Sequence, residues 1–252
     1  MKTFLILIIT AVSFLGHAQN NTLFEEANNL YNEGKYQEAI TNYLKILENN
    51  EHSAALYYNL GNAHYKLNQI APSIYYYEKA LQLAPGDADV KNNLLFAQNM
   101  TIDAIEVMPK TGVSRIIQNG IDTFPHNTWA ILSIAFMMLF VTGFLIYYMS
   151  RYQNRKRLFF ALSSVAFIFA VLSFVFASYQ YNTSKNERPA IVFEQEISVR
   201  AEPNERSEEV FVLHEGTKVE VQDALGEWKK IRLDDGKIGW LLSESIKEIK
   251  SF

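Results

Sequence analysis

Asn59-Leu60-Gly61-Asn62-Ala63-His64-Tyr65, followed by Tyr77-Glu78-Lys79-Ala80-Leu81-Gln82-Leu83-Ala84-Pro85, is the stretch that decides the architecture of the N-terminal part of this chain. Shifted by 34 residues, the sequence matches itself across it: Ala27 falls on Gly61, Tyr31 on Tyr65, Tyr36 on Ile70, Ile40 on Ile74, Tyr43 on Tyr77, Ile46 on Ala80 and Leu47 on Leu81. Small residues at Gly61, Ser73 and Ala80 mark where two helices approach closely, and Pro85 marks where the second one ends. The period predicts antiparallel helix pairs stacked into an all-α solenoid. A third unit opens at Gly86-Asp87 and supplies one helix, roughly Ala88 to Asn99, with Leu94, Leu95 and Ala97 on its buried side. Stacked repeats need about three units, so this minimal solenoid is expected to lean on a partner, a second copy or the apolar hairpin described next.

Outward from the repeats, the whole-chain figures mislead. The 252 residues allow one large or two small domains, and the mean hydropathy of -0.06 looks ordinary. Apolar residues nevertheless concentrate in three blocks. The first, Met1-Lys2 followed by the run Phe4 to Leu15 and Gly16-His17-Ala18, has the basic start, short apolar core and small terminal residues of a secretory signal peptide, with cleavage expected after Ala18. In the second, no charged residue occurs from Thr123 to Ser150, and the third runs uncharged from Leu158 to Tyr181. Their dense parts, 21 and 24 residues, correspond to about 32 and 36 Å of helix and are long enough to cross a bilayer. Trp129, Tyr147, Tyr148, Tyr179 and Tyr181 lie at the block ends, where amphipathic rings favour headgroups.

Arg151, Arg155, Lys156 and Arg157 sit between these blocks with no acid among them, which assigns that loop to the cytoplasm. Both ends of the chain are then exported. Before the first span, Val113, Ile116, Ile117, Gly120, Ile121 and Phe124 recur at helical spacing, fitting either the headgroup interface or packing against the repeats.

After Arg188-Pro189 the pattern changes to short strands: Ala190–Glu194, Ile197–Arg200, Val210–Leu213, Lys218–Val221, Trp228–Leu233 and Ile238–Leu242. Turn residues separate them, as at Pro203-Asn204, Glu215-Gly216, Leu225-Gly226 and Asp234-Asp235-Gly236, which predicts a small all-β barrel. The expected organisation is a signal peptide at 1–18, a repeat domain at 19–108, a linker at 109–126, a first transmembrane helix at 127–150, a cytoplasmic loop at 151–157, a second transmembrane helix at 158–181 and a barrel at 188–252.

Lys+Arg 23 against Asp+Glu 27 leaves a charge of -4, without the basic field that attracts nucleic acid. The absence of cysteine excludes thiol nucleophiles, thiolate metal sites and disulfides. No HExxH, GxSxG or phosphate-binding glycine fingerprint occurs, and the histidines beyond the leader, His52, His64, His126 and His214, are scattered. We therefore expect no enzyme, catalytic residue, metal or cofactor. His64 is expected to pack in a core.

The second repeat unit resembles the tetratricopeptide family, and the first is a looser match in which Ala27 replaces glycine and Glu51 replaces proline. That resemblance implies a concave groove carrying Asn28, Asn59, Asn62, Lys66, Tyr31 and Tyr65, with Asn28 and Asn59 at positions whose amides hold a peptide in peptide-binding members. Where such members place basic clamp residues, this chain has Phe24, Asp89 and Asn93. Two readings of the asparagines stand, as peptide ligands or as solvated polar positions.

The runs Val199-Arg200-Ala201-Glu202-Pro203, Glu215-Gly216-Thr217-Lys218-Val219, Gly226-Glu227-Trp228 and Asp235-Gly236-Lys237-Ile238-Gly239-Trp240 resemble the bacterial SH3 family. Trp228 and Trp240 are then either an aromatic platform for a peptide or cell-wall ligand or, the commoner use in so small a barrel, part of its core. Taken together, the segments resemble the BatE-like proteins of the Bacteroides aerotolerance operon. That resemblance implies a non-enzymatic scaffold in the inner membrane, with both terminal domains periplasmic. Its implied partners are von Willebrand factor A-type membrane proteins and a MoxR-type ATPase, and its implied role is oxygen or stress tolerance. The alternative is an envelope sensor or anchor that binds cell-wall peptide through the barrel.

Overall fold

The computed structural model describes residues 20–105, 112, 120–121 and 123–249. The expected leader and the residues Val113, Ile116 and Ile117 of the apolar stripe lie outside them. Two compact units emerge, one built from the N-terminal repeats together with the C-terminal strands, the other from the apolar segment between them.

In the first unit, helix α1 spans residues 20–32, and α2 (Tyr36–Glu48), α3 (Ala54–Lys66), α4 (Ile70–Leu83) and α5 (Ala88–Gln98) follow. The Ser53 hydroxyl accepts from the Leu56 amide to start α3, and Asp87 accepts from the amides of Asp89 and Val90 to start α5. Within each helix pair the turn passes through the left-handed region, at Gly34 (φ 79°) and at its 34-residue mate Asn68 (φ 58°). A Cβ at Gly61 would stand 2.6 Å from the Tyr77 ring, and the buried Ser73 hydroxyl donates to the Gly61 carbonyl at 3.0 Å. Glycine thus lets α3 and α4 meet as the repeat pattern required. In α5, Leu94 and Ala97 are buried as expected, but Leu95 is 55% exposed, with no further repeat helix stacked on it among the described residues.

The strands are β1 (Pro189–Val192), β2 (Glu196–Arg200), β3 (Glu209–His214), β4 (Lys218–Leu225), β5 (Trp228–Arg232), β6 (Ile238–Leu242) and β7 (Ile246–Glu248). They form one antiparallel sheet in the order β3-β2-β6-β5-β4-β1-β7. The module is all-β and antiparallel as expected, but where a closed barrel was expected the order of strands is open: among the described residues no ladder joins β3 to β7. Its own core gathers Ala190, Val192, Val199, Leu213, Val219, Val221, Ile231 and Leu241. The short β7 was absent from the sequence reading, since three residues with two charges carry no alternation signal.

What the solenoid leans on is this sheet. Strand β1 is apolar on both faces: Ala190 and Val192 enter the sheet core, while Ile191, 0% exposed, joins the core of the repeats, as does Ile249 at 4%. Burying Ile191 alone contributes about 1.5–3 kcal/mol. Gly216 (φ 85°) passes so close to α4 that a Cβ there would meet Thr101, Ile70 and Ile74. Polar bonds frame the seam. Lys218 pairs with Glu78 at 2.7 Å, and Gln82 donates to the Ile249 carbonyl at 3.2 Å. Lys247 lays its ammonium over the Tyr75 ring at 4.4 Å, with Tyr76 and Phe193 at 5.9 and 5.7 Å, and burial there pulls its pKa down.

Beyond α5 the chain runs directly onto the sheet, where Ile105 packs against its core. Asp103 accepts from the main-chain amide of His214 (2.7 Å), the Thr217 hydroxyl (2.6 Å) and the His214 ring (Nδ1, 2.7 Å). Burial pushes this carboxyl up, but the bonds from Thr217 and His214 together outweigh it and hold it below the ordinary carboxylate range.

The second unit contains α6 (His126–Met149) and α7 (Gln153–Asn186), both long and apolar enough to cross a membrane. They pack antiparallel through an aromatic ladder, with Trp129 on Phe176, Phe136 on Phe169, Phe140 on Phe167 and Tyr147 on Phe160, at centroid distances of 5.1 to 5.5 Å. Gly143 faces Ser163, where an added Cβ would lie 3.3 Å away, and Ser133 donates to the Ala170 carbonyl. The non-helical turn is shorter than the expected loop at 151–157. Arg155, Lys156 and Arg157 already belong to α7, because hydropathy marks only the apolar part of a helix while Arg, Lys and Gln prolong it readily.

Replacing Asp103 by Ala should cost about 1.5–3 kcal/mol, the range for hydrogen bonds to a charged group. Because the folded carboxyl titrates below its unfolded value of about 3.9, that contribution is fully present above the unfolded value and is lost as pH falls through the folded one. Pulse proteolysis of the detergent-solubilised full chain in urea should show a wild-type to D103A gap that is constant at neutral pH and closes in acid.

Candidate functional site: a groove and a tryptophan face

The 34-residue repeat reproduces a hydrogen-bond network. Asn28 on α1 accepts at Oδ1 from the Tyr43 hydroxyl of α2 (2.6 Å) and from the Asn59 amide of α3 (2.9 Å). One unit on, Asn62 on α3 accepts at Oδ1 from the Tyr77 hydroxyl of α4 (2.6 Å) and from the Asn93 amide of α5 (2.9 Å). Asn93 also donates to the Tyr58 hydroxyl at 3.0 Å. Each network ties three successive helices together. Burial pushes the Tyr43 hydroxyl up to about 12 and raises that of Tyr77 as well, so both remain donors across the physiological range.

The carbonyl oxygens of Asn28 and Asn62 therefore serve the fold, whereas their amide N–H groups, and the carbonyl oxygens of Asn59 and Asn93, have no partner among the described residues and are not sealed from solvent. Unengaged amide donors and carbonyl acceptors are the groups that an extended peptide backbone pairs with.

A cleft of about 260 Å³ opens beside the second network. Of the expected groove residues, Tyr31, Asn62, Tyr65 and Lys66 line it, joined by Tyr58, Tyr77, Asn93 and Phe96; Asn28 and Asn59 belong to the neighbouring network outside it. Phe96 is 58% exposed. Tyrosine rings and Phe96 form the walls, most of the exposed lining is nevertheless polar, and Lys66 supplies the cleft's ammonium, so hydrogen-bonding groups stand beside aromatic surface. Sequence reading missed Tyr43 and Tyr77 as site partners and placed Asn93 only at a clamp position, not in the network. The signal was present, since Asn93 stands 34 residues after Asn59 as Asn62 stands after Asn28. His64 packs as expected: it stacks on Tyr76 at 5.3 Å, its Nδ1 meets Gln69 Oε1 at 2.6 Å, and burial lowers its pKa.

The tryptophans are not where a core role would put them. Ile231 of β5 and Leu241 of β6 enter the sheet core. Trp228 lies three residues from the first and Trp240 one residue from the second, so strand alternation turns both to the opposite face, where they are half-buried. Trp240 lies across from Arg200 on β2 and Lys230 on β5, and Trp228 across from Leu242. The core is closed instead by aliphatic residues. Gly239 provides the tight fit there, because a Cβ would stand 2.4 Å from Val199.

Residues 24–88 match the tetratricopeptide repeat family, and residues 196–247 match the bacterial SH3 domain family. No curated protein gives a significant match. Both families are non-catalytic interaction domains.

Because the two networks are copies, Tyr43→Phe and Tyr77→Phe should destabilise to a similar extent, about 1 kcal/mol each, in urea titrations read by pulse proteolysis. Trp240→Ala, on the outer face, should cost about 1 kcal/mol in the same assay, well below the about 3–5 kcal/mol typical of a truncated core aromatic.

Proposed function

We propose that this protein is a non-enzymatic, membrane-anchored scaffold whose repeat groove holds a protein partner in an envelope complex. The observation that carries the reading is the cleft lined by Tyr31, Asn62, Tyr65, Lys66 and Phe96, which offers aromatic surface beside unengaged amide groups. Helices α6 and α7 are the anchor. Contacts made by Glu78, Gln82 and Asp103, before the hairpin, with Lys218, Ile249 and His214, after it, require both segments on one side of a membrane. Two crossings satisfy that requirement, and the basic turn supports a periplasmic location for the shared side.

The resemblance to BatE-like proteins extends the proposal to partners, namely von Willebrand factor A-type membrane proteins and a MoxR-type ATPase, and to oxygen or oxidative-stress tolerance. A second reading draws on the outer-face position of Trp228 and Trp240. Flat rings beside Arg200 and Lys230 form a platform for a cell-wall peptide, as the bacterial SH3 match suggests.

The two readings separate in one experiment. Tagged full-length chain is purified from detergent extracts as wild type, as K66E/F96S and as W228A/W240A, and recovery of the von Willebrand factor A-type partner is quantified. We expect K66E/F96S to lower recovery by about tenfold, equivalent to about 1.4 kcal/mol, with the tryptophan variant close to wild type. The opposite pattern would move the docking site to the sheet.

A further inference from the structure

We propose that the turn joining α6 to α7 is a binding site for the phosphate groups of anionic phospholipids. The inference rests on the membrane reading above and names a ligand for the hairpin's tip. From Thr123 to Asn186 the chain contains no carboxylate, and four of its cations, Arg151, Arg155, Lys156 and Arg157, fall within seven consecutive residues. All four are exposed, and none has an ion-pair partner among the described residues.

Three of them occupy the first turns of α7, where the positive end of the helix dipole opposes cations rather than stabilising them. Tyr152 precedes the helix without a side-chain cap, and the first main-chain bond runs from the Lys156 amide to the Tyr152 carbonyl. The amides of Gln153, Asn154 and Arg155 are thereby left to outside acceptors. Mutual repulsion and an opposing dipole disfavour this turn, its uncapped amides are open to acceptors, and anions held there relieve all three.

Its surroundings identify the source of those anions. Tyr148, Met149 and Tyr152 are all at least 70% exposed and flank the cations at the end of an apolar hairpin. Apolar and aromatic side chains directly beside unpaired cations match the boundary between acyl chains and headgroups, not a soluble ligand. The Arg155 guanidinium lies 5.5 Å from the Tyr152 ring, which holds its planar fork in place for two phosphate oxygens.

The test uses the full chain reconstituted in phosphatidylcholine with a minor fraction of phosphatidylglycerol, and compares the association of spin-labelled phosphatidylglycerol with that of spin-labelled phosphatidylcholine. Wild type should prefer the anionic lipid several-fold, with each engaged charge worth up to about fivefold, and added salt should weaken the preference. R151Q/R155Q/K156Q/R157Q should lose it, whereas R151K/R155K/R157K, which keeps the charges, should retain most of it. Equal association of the two lipids with wild type, or an unchanged preference in the glutamine variant, would overturn the proposal. So would displacement of the labelled lipid by inorganic phosphate but not by chloride at matched ionic strength, which would assign the site to a soluble anion. Alkaline carbonate extraction of native membranes separates this outcome from failure of the anchor: release of the protein would overturn the membrane reading and the lipid site together, while retention without lipid preference would overturn the lipid site alone.

Discussion

A stack of two helix pairs and one closing helix cannot bury its own apolar flank, and the rest of the structure follows from that deficit. The exposed flank is the side of α4 that carries Ile70, Ile74 and Tyr75, and it is covered by Ile191, Phe193 and Ile249 from the opposite end of the chain. The sheet gains as much as the repeats do. With only about 60 residues it has little core to spare, and docking converts the second face of β1 from an exposed liability into buried area. Neither half is a free-standing module joined to the other by a tether.

The same geometry shapes the groove. Because the sheet takes one flank of α4, the concave side between α1, α3 and α5 is left clear among the described residues, and the duplicated Asn–Tyr–Asn networks hold its walls at fixed spacing. Using a side-chain carbonyl as strut while leaving its own amide unengaged lets one residue type set the repeat spacing and present a hydrogen-bonding surface. On the proposed reading a partner meets donors that are already positioned, so its binding requires little rearrangement.

Much of this was legible in the sequence wherever a periodicity was strong. The 34-residue offset located α1 to α5 and the close approach at Gly61, and uncharged blocks located α6 and α7. Alternation and turn residues located six of the seven strands. Three features were not legible. The outward position of Trp228 and Trp240 depends on strand register relative to Ile231 and Leu241, which composition does not carry. The helical state of Arg155 to Arg157 is invisible to a hydropathy boundary. The docking of the sheet had a local signature, the unbroken apolar run Ala190-Ile191-Val192-Phe193, which marks a strand buried on both faces; nothing in a one-dimensional pattern says that its second face meets residues from before the hairpin.

The seam between repeats and sheet also sets an order of events during synthesis. Gln82 and Ile249, which bond to each other, are 167 residues apart in the chain. At about 5–20 residues per second of elongation, the flank of α4 waits roughly 10–30 s for the strands that will cover it. During that interval the repeats display Ile70, Ile74 and Tyr75 to whatever surrounds them, and a chain that ends early never hides them. The flank is thus apolar surface that only a chain translated through Ile249 withdraws completely.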